Sequence, residues 1–443
     1  MKFIAEGGLP LKGNISISGS KNAVIKMIAA SLLTEEEVVL NNVPEIKDVD
    51  LIKTIAANLG VKIDNSAPHR LKLRADNIPT TVVPQTLGLP SRSSVIFLGP
   101  LLARFGKVTF PEPGGDLIGK RPINWHLSSL SQLGAKVSYE NGIYQAEAAK
   151  LTGSTIVFKR NTVMGTENCL LGATLAEGET ILSNAAQEPE VDDLIDLLNK
   201  MGAKITRVED RTIKIVGVPR LSGANHEVLP DRNETVTYAV AAVATAGDLT
   251  LENVRPGNLT AFLAKLEKMG AHFEAGKDTL RVWRDPGVVL NPVSVETSPH
   301  PGFMTDWQQP FCILLTQCNG ESYIYETIYA NRFEYVKELN RMGAQVRLMT
   351  PEQLGLPFKL DDESYDVAAN GQPPIVAKIT GPTALQGKRV SISDLRAGAT
   401  LVIAALTATG KSEILGIDHI DRGYEFFDEK MRSIGAKLER VED

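Results

Sequence analysis

A short hydrophobic phrase recurs along the chain, in which an amphipathic run ends at a glycine and alternating apolar residues follow. It occurs six times, as NLGVKI, QLGAKV, KMGAKI, KMGAHF, RMGAQV and SIGAKL, with the glycines at positions 60, 134, 202, 270, 343 and 435. Glycine after an amphipathic run predicts a helix C-cap, because it adopts a left-handed backbone at little cost. The alternation that follows predicts a strand.

A second recurring element precedes each phrase and consists of small apolar residues without a polar face. Examples are ETVTYAVAAVATAG and LRAGATLVIAALTATG. Such runs predict buried helices, and each is followed by a predicted strand. The full repeat is therefore helix, strand, helix, glycine cap, strand, strand, and this self-similarity determines the fold class.

Six repeats predict an α/β protein of two domains with three repeats each, at ~200 residues per domain. The interval between the last two phrase glycines, Gly343 and Gly435, is the longest of the series. It predicts an insertion near residues 349–379, a stretch rich in proline, glycine and acidic residues. We expect this stretch to carry no repeat element and to lie on the surface.

Composition narrows the function classes. The chain has 443 residues, 43% of them hydrophobic, and a net charge of -6, which argues against a nucleic-acid partner. Three cysteines give no disulfide framework, and six scattered histidines argue against a zinc site. No apolar run reaches the ~20 residues of a membrane span. We expect a cytoplasmic protein without a membrane partner, and the oligomeric state stays open.

Polar side chains stand where the buried helices are predicted to begin. They are Ser20-Lys21-Asn22, Arg92-Ser93, Thr166-Glu167-Asn168, Asp231-Arg232, Thr305-Asp306 and Asp394-Leu395-Arg396. Helix capping explains the acids and hydroxyls, for which Ser18, Ser91, Thr305, Asp231 and Asp394 are suitable types. Capping does not explain the cations, because the helix dipole disfavours positive charge at this end. Six cations at corresponding places, with Arg332 and Arg422 completing the set, indicate an oxyanion-rich ligand; structural ion pairs are the alternative.

One loop, FPEPGGDLIGKRP, places the acid Asp116 after two glycines and before the cations Lys120 and Arg121. An ordinary turn is one interpretation. A mobile loop that delivers a proton to an anionic substrate is the other.

The motifs SGSKNA, ATLAEG, EPE, LPDR, PHPGFMTD, NRF, SDLRA and HIDRGYE follow one another over more than 400 residues. In this order they resemble the UDP-N-acetylglucosamine enolpyruvyl transferase family. The resemblance implies a two-domain inverted α/β barrel, with residues 21–229 as one domain and residues 1–20 and 230–443 as the other, and with ligands between the domains. It implies transfer of the enolpyruvyl group of phosphoenolpyruvate to the 3-hydroxyl of UDP-N-acetylglucosamine, early in peptidoglycan synthesis. The family reaction proceeds by addition and elimination without metal or cofactor.

The resemblance also implies roles for individual residues. The catalytic set is Asp116, Lys21, Asp306 as the base, and Arg422. The phosphoenolpyruvate site is Lys21, Asn22, Arg121 and Arg422. The nucleotide-sugar site is Arg92, Arg121, Pro122, Ile123, Asn124, Trp125, Arg160, Asn161, Thr162, Val163, Asp306 and Ile328. Supporting residues are Arg232, Arg332, Asp394 and Arg396.

Asp116 departs from the family, which usually has a cysteine there as proton donor and as the attachment point of fosfomycin. An ordinary aspartate is ionised at pH 7, so bound phosphate must supply the repulsion that keeps a proton on it. We expect protonation only in the closed, ligand-filled state, with Gly114 and Gly115 as the hinge. Since a carboxylate offers no thiol, we expect insensitivity to fosfomycin.

Three further residues depart from the family pattern: Asn124, Trp125 and Met164. Trp125 could stack on uracil or pack in the core, and both interpretations stay open. Two alternatives to the main function also remain. One is a related transferase that uses shikimate 3-phosphate, although its lysine motif prefers Lys-Ser to Lys21–Asn22. The other is a non-catalytic paralogue that senses nucleotide sugar.

Overall fold

The computed structural model describes residues 1–89, 92–114 and 123–442. These residues form two compact units. The first unit consists of residues 19–89, 92–114 and 123–229. The split unit consists of residues 1–18 and 230–442, so both ends of the chain belong to it.

The chain begins in the split unit with strands β1 (Lys2–Glu6) and β2 (Lys12–Ser16) and then enters the first unit. The helices of the first unit are α1 (Lys21–Ala30), α2 (Lys47–Leu59), α3 (Gln85–Gly88), α4 (Leu98–Phe105), α5 (Asn124–Gln132), α6 (Val163–Ala173) and α7 (Pro189–Lys200), with 3-10 turns at Ser31–Leu33 and Arg92–Phe97. Its strands are β3 (Glu37–Asn41), β4 (Lys62–Asp64), β5 (Arg70–Arg74), β6 (Lys107–Pro111), β7 (Lys136–Glu140), β8 (Ile143–Glu147), β9 (Thr155–Val157), β10 (Glu179–Ser183), β11 (Lys204–Glu209), β12 (Thr212–Val216) and β13 (Ala224–Glu227).

The remaining elements lie in the split unit. Its helices are α8 (Arg232–Ala244), α9 (Thr260–Met269), α10 (Thr305–Thr316), α11 (Tyr335–Arg341), α12 (Val367–Asn370), α13 (Leu395–Thr407) and α14 (Phe427–Ser433), with 3-10 turns at Pro256–Leu259, Glu352–Leu354 and Ile417–Arg422. Its strands are β14 (Asp248–Glu252), β15 (His272–Ala275), β16 (Thr279–Trp283), β17 (Ser294–Glu296), β18 (Gly320–Tyr325), β19 (Gln345–Met349), β20 (Val376–Gly381), β21 (Arg389–Ser391), β22 (Lys411–Leu415) and β23 (Lys437–Val441).

The predicted repeat is confirmed, and with it the α/β fold class. In each repeat a buried helix leads to a strand, a second helix and a glycine, and the glycines of all six phrases have φ between 88° and 115°. This is the left-handed region in which glycine is favoured. The prediction of buried helices is confirmed for α8 and α13. All 13 residues of α8 are buried, and so are all residues of α13 except Thr407.

The sheets share one arrangement, in which the last strand of a repeat lies between the other two strands of that repeat. In the first unit the orders are β13-β3-β5-β4, β6-β8-β7 and β11-β12-β10-β9; in the split unit they are β15-β16-β14-β2, β17-β18-β20-β19 and β21-β22-β1-β23. The sixth repeat has only β23 after its glycine. Strand β1 takes the missing place, antiparallel to both β22 and β23, so Phe3 pairs with Ile414 and Arg440. The amino-terminal strand therefore completes the last repeat.

The predicted insertion needs a correction. Residues 350–375, hereafter the excursion, lie between β19 and β20, but residues 376–379 belong to β20, the central strand that pairs with both β18 and β19. The expectation that 349–379 carries no repeat element is therefore wrong at its carboxyl end. The alternating apolar pattern there is short and follows two prolines, which conceals the strand.

Among the helices of the described residues, none combines the length and the hydropathy that crossing a bilayer requires.

Candidate active site

Lys21 is the first residue of α1, and an aspartate from the next helix holds its ammonium group. Lys21 Nζ lies 2.6 Å from Asp48 Oδ2, with the two side chains 12% and 6% exposed. Asp48 stands in the first turn of α2, where the helix dipole favours an acid. The ion pair orients the ammonium group while part of it remains in contact with solvent, which suits a group that binds an anion.

One turn along α1, Lys26 is buried with an ion-pair partner from α6. Its Nζ lies 3.3 Å from Glu167 Oε2, and it also donates to the backbone carbonyl of Asn22. Burial raises the pKa of Glu167 to about 7 against the opposing effect of Lys26, and Glu190 and Glu188 raise it further. A buried lysine–glutamate pair therefore supports the turn that carries Asn22.

The segment predicted to contact the nucleotide begins α5. The Ile123 side chain is buried in the core. Asn124 is exposed and Trp125 is half-buried, so neither interpretation of Trp125 is settled. The pKa of the buried His126 is lowered to about 3, first by burial and then by the positive charge of Arg92. Arg92 is therefore close to the start of α5.

Asn168 joins this neighbourhood to α6. Its Nδ2 donates to His126 Nδ1 at 2.9 Å and to the Val95 carbonyl at 2.8 Å. Its Oδ1 accepts from the Gly99 amide at 2.8 Å. A neutral imidazole has one acceptor nitrogen, which agrees with the lowered pKa of His126. Asn168 therefore holds three segments around Arg92, a role that the sequence did not indicate.

Arg160, Asn161 and Thr162 form a half-buried turn that leads into α6. The Thr162 hydroxyl accepts from the Gly165 amide at 3.3 Å and caps the helix. The Asn161 Nδ2 is buried and has no hydrogen-bond partner within the described residues. An unpartnered buried donor beside an arginine is suited to a polar ligand.

The predicted start of α6 at Thr166 is wrong by three residues, since the helix begins at Val163. Thr166 is fully buried, and its hydroxyl accepts from the Ala186 amide at 3.1 Å. The threonine that caps the helix, Thr162, precedes a β-branched valine, so the sequence alone does not mark the boundary.

In the split unit, Asp306 is flanked by two buried arginines. Arg332, which is 4% exposed, forms an ion pair with Asp306 Oδ1, and Arg396 Nε lies 3.8 Å from Asp306 Oδ2. Burial alone would lower the pKa of Arg332, but Asp306, Asp394 and Glu326 outweigh it, so the pKa is raised. Both carboxylate oxygens of Asp306 therefore face permanently charged guanidinium groups.

These residues come together because α8, α10 and α13 pack on one another with buried faces. Asp394 Oδ1 caps α13 by accepting from the amides of Arg396 at 2.9 Å and Ala397 at 3.0 Å. Asp231 Oδ1 caps α8, accepting from the Asn233 amide at 2.7 Å. Capping and ion pairing thus act together, and neither interpretation of these acids excludes the other.

Two predicted caps are wrong. Thr305 is the first helical residue of α10, and its hydroxyl donates to Glu326 Oε2 at 2.8 Å instead of capping. Ser18 does not cap α1; its hydroxyl donates to Glu425 Oε2 and accepts from Lys430 Nζ, both at 2.5 Å. In both cases a partner distant in sequence takes the hydroxyl.

Arg422 closes the 3-10 turn at residues 417–422 and is half-buried. The carboxylate of the preceding residue, Asp421, accepts hydrogen bonds from NH1 and NH2 of Arg440 at 3.1 and 2.8 Å. Arg440 NH2 also donates to the Asp428 carboxylate at 2.9 Å. Two residues beyond Arg422, the ring centroid of Tyr424 lies 5.2 Å from the guanidinium carbon of Arg396. The segment that carries Arg422 is therefore fixed beside Arg396 by contacts on both sides.

Two further predicted residues have well-defined surroundings. The Arg232 NH1 lies 3.2 Å from His300 Nδ1, and the Arg232 guanidinium carbon lies 5.8 Å from the Trp307 ring centroid. The Ile328 amide donates to Glu326 Oε1 at 2.8 Å. Arg232 and Ile328 are thus positioned by buried polar contacts.

Several predicted site residues lie outside the described part of the chain. They are Gly115, Asp116, Lys120, Arg121 and Pro122. The predicted helix cap Ser91 also lies outside it, and all of these roles stay predictions.

Asp48 and Glu326 were not predicted as site residues. A signal for Asp48 exists: when the repeats are aligned, Asp48 of α2 and Glu190 of α7 both occupy the second helical position. Lys21 of α1 pairs with Asp48, and Glu190 acts electrostatically on Glu167, the partner of Lys26 of α1. Comparison of the repeats with one another could therefore have found the pair, whereas a search within one motif could not.

Neither a metal cluster nor a reactive thiol emerges from the side chains that the structure describes. Within residues 1–89, 92–114 and 123–442, no three His, Cys, Asp or Glu side chains come together as metal ligands. All three cysteines are buried, and burial raises the pKa values of the Cys169, Cys312 and Cys318 thiols to about 12.

Comparison with known proteins identifies the family of the chain. Residues 5–431 match the family of EPSP synthase (3-phosphoshikimate 1-carboxyvinyltransferase). The chain belongs to this family. Within it, the UDP-N-acetylglucosamine 1-carboxyvinyltransferase of Koribacter versatilis is 42% identical over 443 residues, covering 99% of this chain and 96% of that protein. The protein of the same name from Magnetococcus marinus is 43% identical over 440 residues, covering 99% of both chains.

A solved structure shares the fold of this chain at low sequence identity. The enolpyruvyl transferase NikO from Streptomyces tendae superposes with a TM-score of 0.84 at 22% identity, covering 99% of this chain and 98% of that chain. The family resemblance inferred from the motifs is confirmed.

Proposed function

We propose that the protein transfers the enolpyruvyl group of phosphoenolpyruvate to the 3-hydroxyl of UDP-N-acetylglucosamine and releases phosphate. The observation that carries the proposal is full-length identity of 42% and 43% to proteins named for this activity. The fixed cations at helix starts support it, because both substrates are polyanions.

The reaction needs a base for the sugar hydroxyl and an acid for the methylene carbon. Asp306, oriented by Arg332 and Arg396, takes the proton of the 3-hydroxyl, whose oxygen bonds to C2 of phosphoenolpyruvate. Asp116 gives a proton to C3, which yields a tetrahedral ketal. Loss of phosphate from C2 and of a proton from C3 restores the double bond, so atoms and charges balance.

The remaining residues bind and orient the two substrates. Lys21, Asn22, Arg121 and Arg422 bind phosphoenolpyruvate. The nucleotide sugar is bound by Arg92, Arg121, Pro122, Ile123, Asn124, Trp125, Arg160, Asn161, Thr162, Val163 and Ile328, with Ile123 contributing its backbone. Lys21 is held for this task by Asp48, and Arg332 and Arg396 hold Asp306. Positioning of this kind supplies a large share of the rate enhancement in two-substrate reactions.

A phosphate-release assay between pH 5 and pH 9 tests the proposal. Phosphoenolpyruvate with UDP-N-acetylglucosamine should release phosphate, whereas phosphoenolpyruvate with shikimate 3-phosphate should not. If phosphate is released only when shikimate 3-phosphate is the acceptor for phosphoenolpyruvate, the related transferase would be favoured. Tight nucleotide-sugar binding without turnover would favour the sensor.

Asp306→Asn supplies the matched variant. Loss of a general base should lower kcat by about a hundredfold or more, with sugar binding retained. The control is Asp285→Asn, an exposed acid of the same unit that pairs with His272, and it should leave turnover unchanged. Equal turnover of native protein and Asp306→Asn would remove Asp306 from the mechanism.

A further inference from the structure

The excursion sets the fifth repeat apart from the other repeats. In the first four repeats, two to five residues connect the last two strands. In the fifth repeat the excursion, the 26 residues 350–375, connects them. The excursion carries only a 3-10 turn at Glu352–Leu354 and the four-residue helix α12. A connection of this length with so little regular structure is uncommon in a compact fold unless it has a function.

The excursion is anchored to the sheet beside it. Ile375 and Val376 form a buried cluster with Tyr325 of β18, and Leu354 and Leu360 pack against that cluster. An ordered apolar base of this kind keeps the connection against the unit.

The Tyr325 hydroxyl adds polar contacts to this anchor. It donates to the Pro357 carbonyl at 2.7 Å and accepts from the Lys359 amide at 2.7 Å. The Lys359 ammonium reaches Glu296 at 2.8 Å. The middle of the excursion is therefore fixed at the end of β18, where the following loop begins.

That following loop, residues 327–332, forms two hydrogen bonds with the excursion. The Asp361 amide donates to the Thr327 carbonyl at 2.7 Å. Asp362 Oδ2 accepts from the Ala330 amide at 3.2 Å, while its Oδ1 accepts from the Ser364 amide at 3.0 Å. Because Asp362 is held by its own turn, it offers the loop a fixed acceptor.

The inner side of the loop is held by buried side chains of the unit. Glu326 Oε1 accepts from the amides of Ile328 at 2.8 Å and Tyr329 at 3.2 Å. The Arg332 backbone carbonyl accepts from the side-chain Nε2 groups of Gln308 at 3.3 Å and Gln309 at 3.4 Å. The loop is therefore fixed from within by these residues and from outside by the excursion.

We propose that the excursion is a brace for the loop at residues 327–332, with Asp362 as a positioning residue for nucleotide-sugar recognition. The inference rests on the proposed function, in which Ile328 contacts the sugar and Arg332 holds Asp306. Asp362 touches no substrate in this scheme. It acts through the Ala330 amide, which lies midway between Ile328 and Arg332, and so sets where both side chains stand.

The test compares three variants of the full-length protein. Asp362→Ala removes the acceptor, Asp362→Asn keeps an oxygen acceptor at the same place, and Asp366→Ala is the control. Asp366 lies in the same excursion and caps α12 by accepting from the Ala369 amide at 3.0 Å. The measurements are kcat, KM for each substrate, and amide hydrogen exchange of a peptide spanning residues 326–333.

Asp362→Ala should raise KM for UDP-N-acetylglucosamine about tenfold, with KM for phosphoenolpyruvate unchanged, since a hydrogen bond to a charged acceptor is lost. The same variant should speed exchange in 326–333. Asp362→Asn, whose single oxygen can serve only one of the Ala330 and Ser364 amides, should change KM and exchange less than Asp362→Ala does. Asp366→Ala should match the native protein in KM and in exchange. Unchanged KM and exchange in Asp362→Ala, or equal changes in Asp366→Ala, would overturn the brace. If the native protein shows no turnover, the proposed function fails. Amide hydrogen exchange of residues 326–333 in Asp362→Ala then tests by itself whether the excursion holds the loop.

Discussion

Replacing Glu167 tests the electrostatics of the buried pair beneath Lys21 and Asn22. Glu167 is fully buried on α6, and Lys26 is the cation that faces it at 3.3 Å. Burial is the largest cause that raises its pKa from 4.5 to about 7, and Lys26 offsets only part of this effect. The Glu167→Gln substitution keeps the shape of the side chain and removes its titration.

The direction of the effect follows from linkage. The pKa of Glu167 is higher in the folded state than in the unfolded chain, so folding favours the protonated acid. Its contribution to stability is full below pH 4.5, declines as the pH rises to about 7, and is constant above that. The shift corresponds to about 3 kcal/mol over the whole range, and most of it falls between pH 5 and pH 8.

Urea unfolding of the native protein and Glu167→Gln at pH 5 and pH 8 measures this effect. Between these values, the free energy of unfolding of the variant relative to the native protein should move by about 2 to 3 kcal/mol in favour of the variant. Any penalty for placing an amide beside Lys26 is the same at both pH values and cancels from the difference.

A matched control separates this site from the general pH dependence of the protein. Glu140→Gln changes an exposed glutamate of the same unit, and its stability relative to the native protein should not change with pH. Parallel pH profiles for Glu167→Gln and the native protein would refute the reasoning, because they would show that burial does not hold a proton on Glu167.

Three further outcomes are expected. Asp116→Asn should lose turnover in the phosphate-release assay while still binding UDP-N-acetylglucosamine, and near-normal turnover would reject Asp116 as the acid. Fosfomycin should not inhibit the protein, and intact-mass spectrometry should find no adduct; a covalent adduct at residue 116 would contradict this. Arg440→Met should raise KM for phosphoenolpyruvate about tenfold, because Asp421 and Asp428 lose a guanidinium that fixes the segment before Arg422. An unchanged KM would show that this clamp has no bearing on substrate binding.

The repeat could be predicted from the sequence because its signals are local. A glycine such as Gly202 follows an amphipathic run and needs a left-handed backbone, so its role is visible in a few letters. The buried helices α8 and α13 are equally visible, since a run without a polar face has no solvent-exposed side.

The partners of the polar residues could not be predicted in the same way. Ser18 looks like a helix cap, yet its hydroxyl binds Glu425 and Lys430, which lie at the far end of the chain. Asp48 looks like any acid in a first helical turn until Lys21 is seen beside it. Capping and catalysis use the same residue types, so only the folded chain shows which contacts each residue makes.

The strand order of the split unit has a consequence for biosynthesis, which proceeds from the amino end. The described strands of the first unit all come from residues 37–227, so that unit can assemble while the ribosome is still adding the remainder. Strand β1 is made first but finds β22 and β23 only when residues 411–441 emerge. Until then its backbone groups are unpaired, and a nascent chain that stalls late exposes a strand open to capture by neighbouring chains.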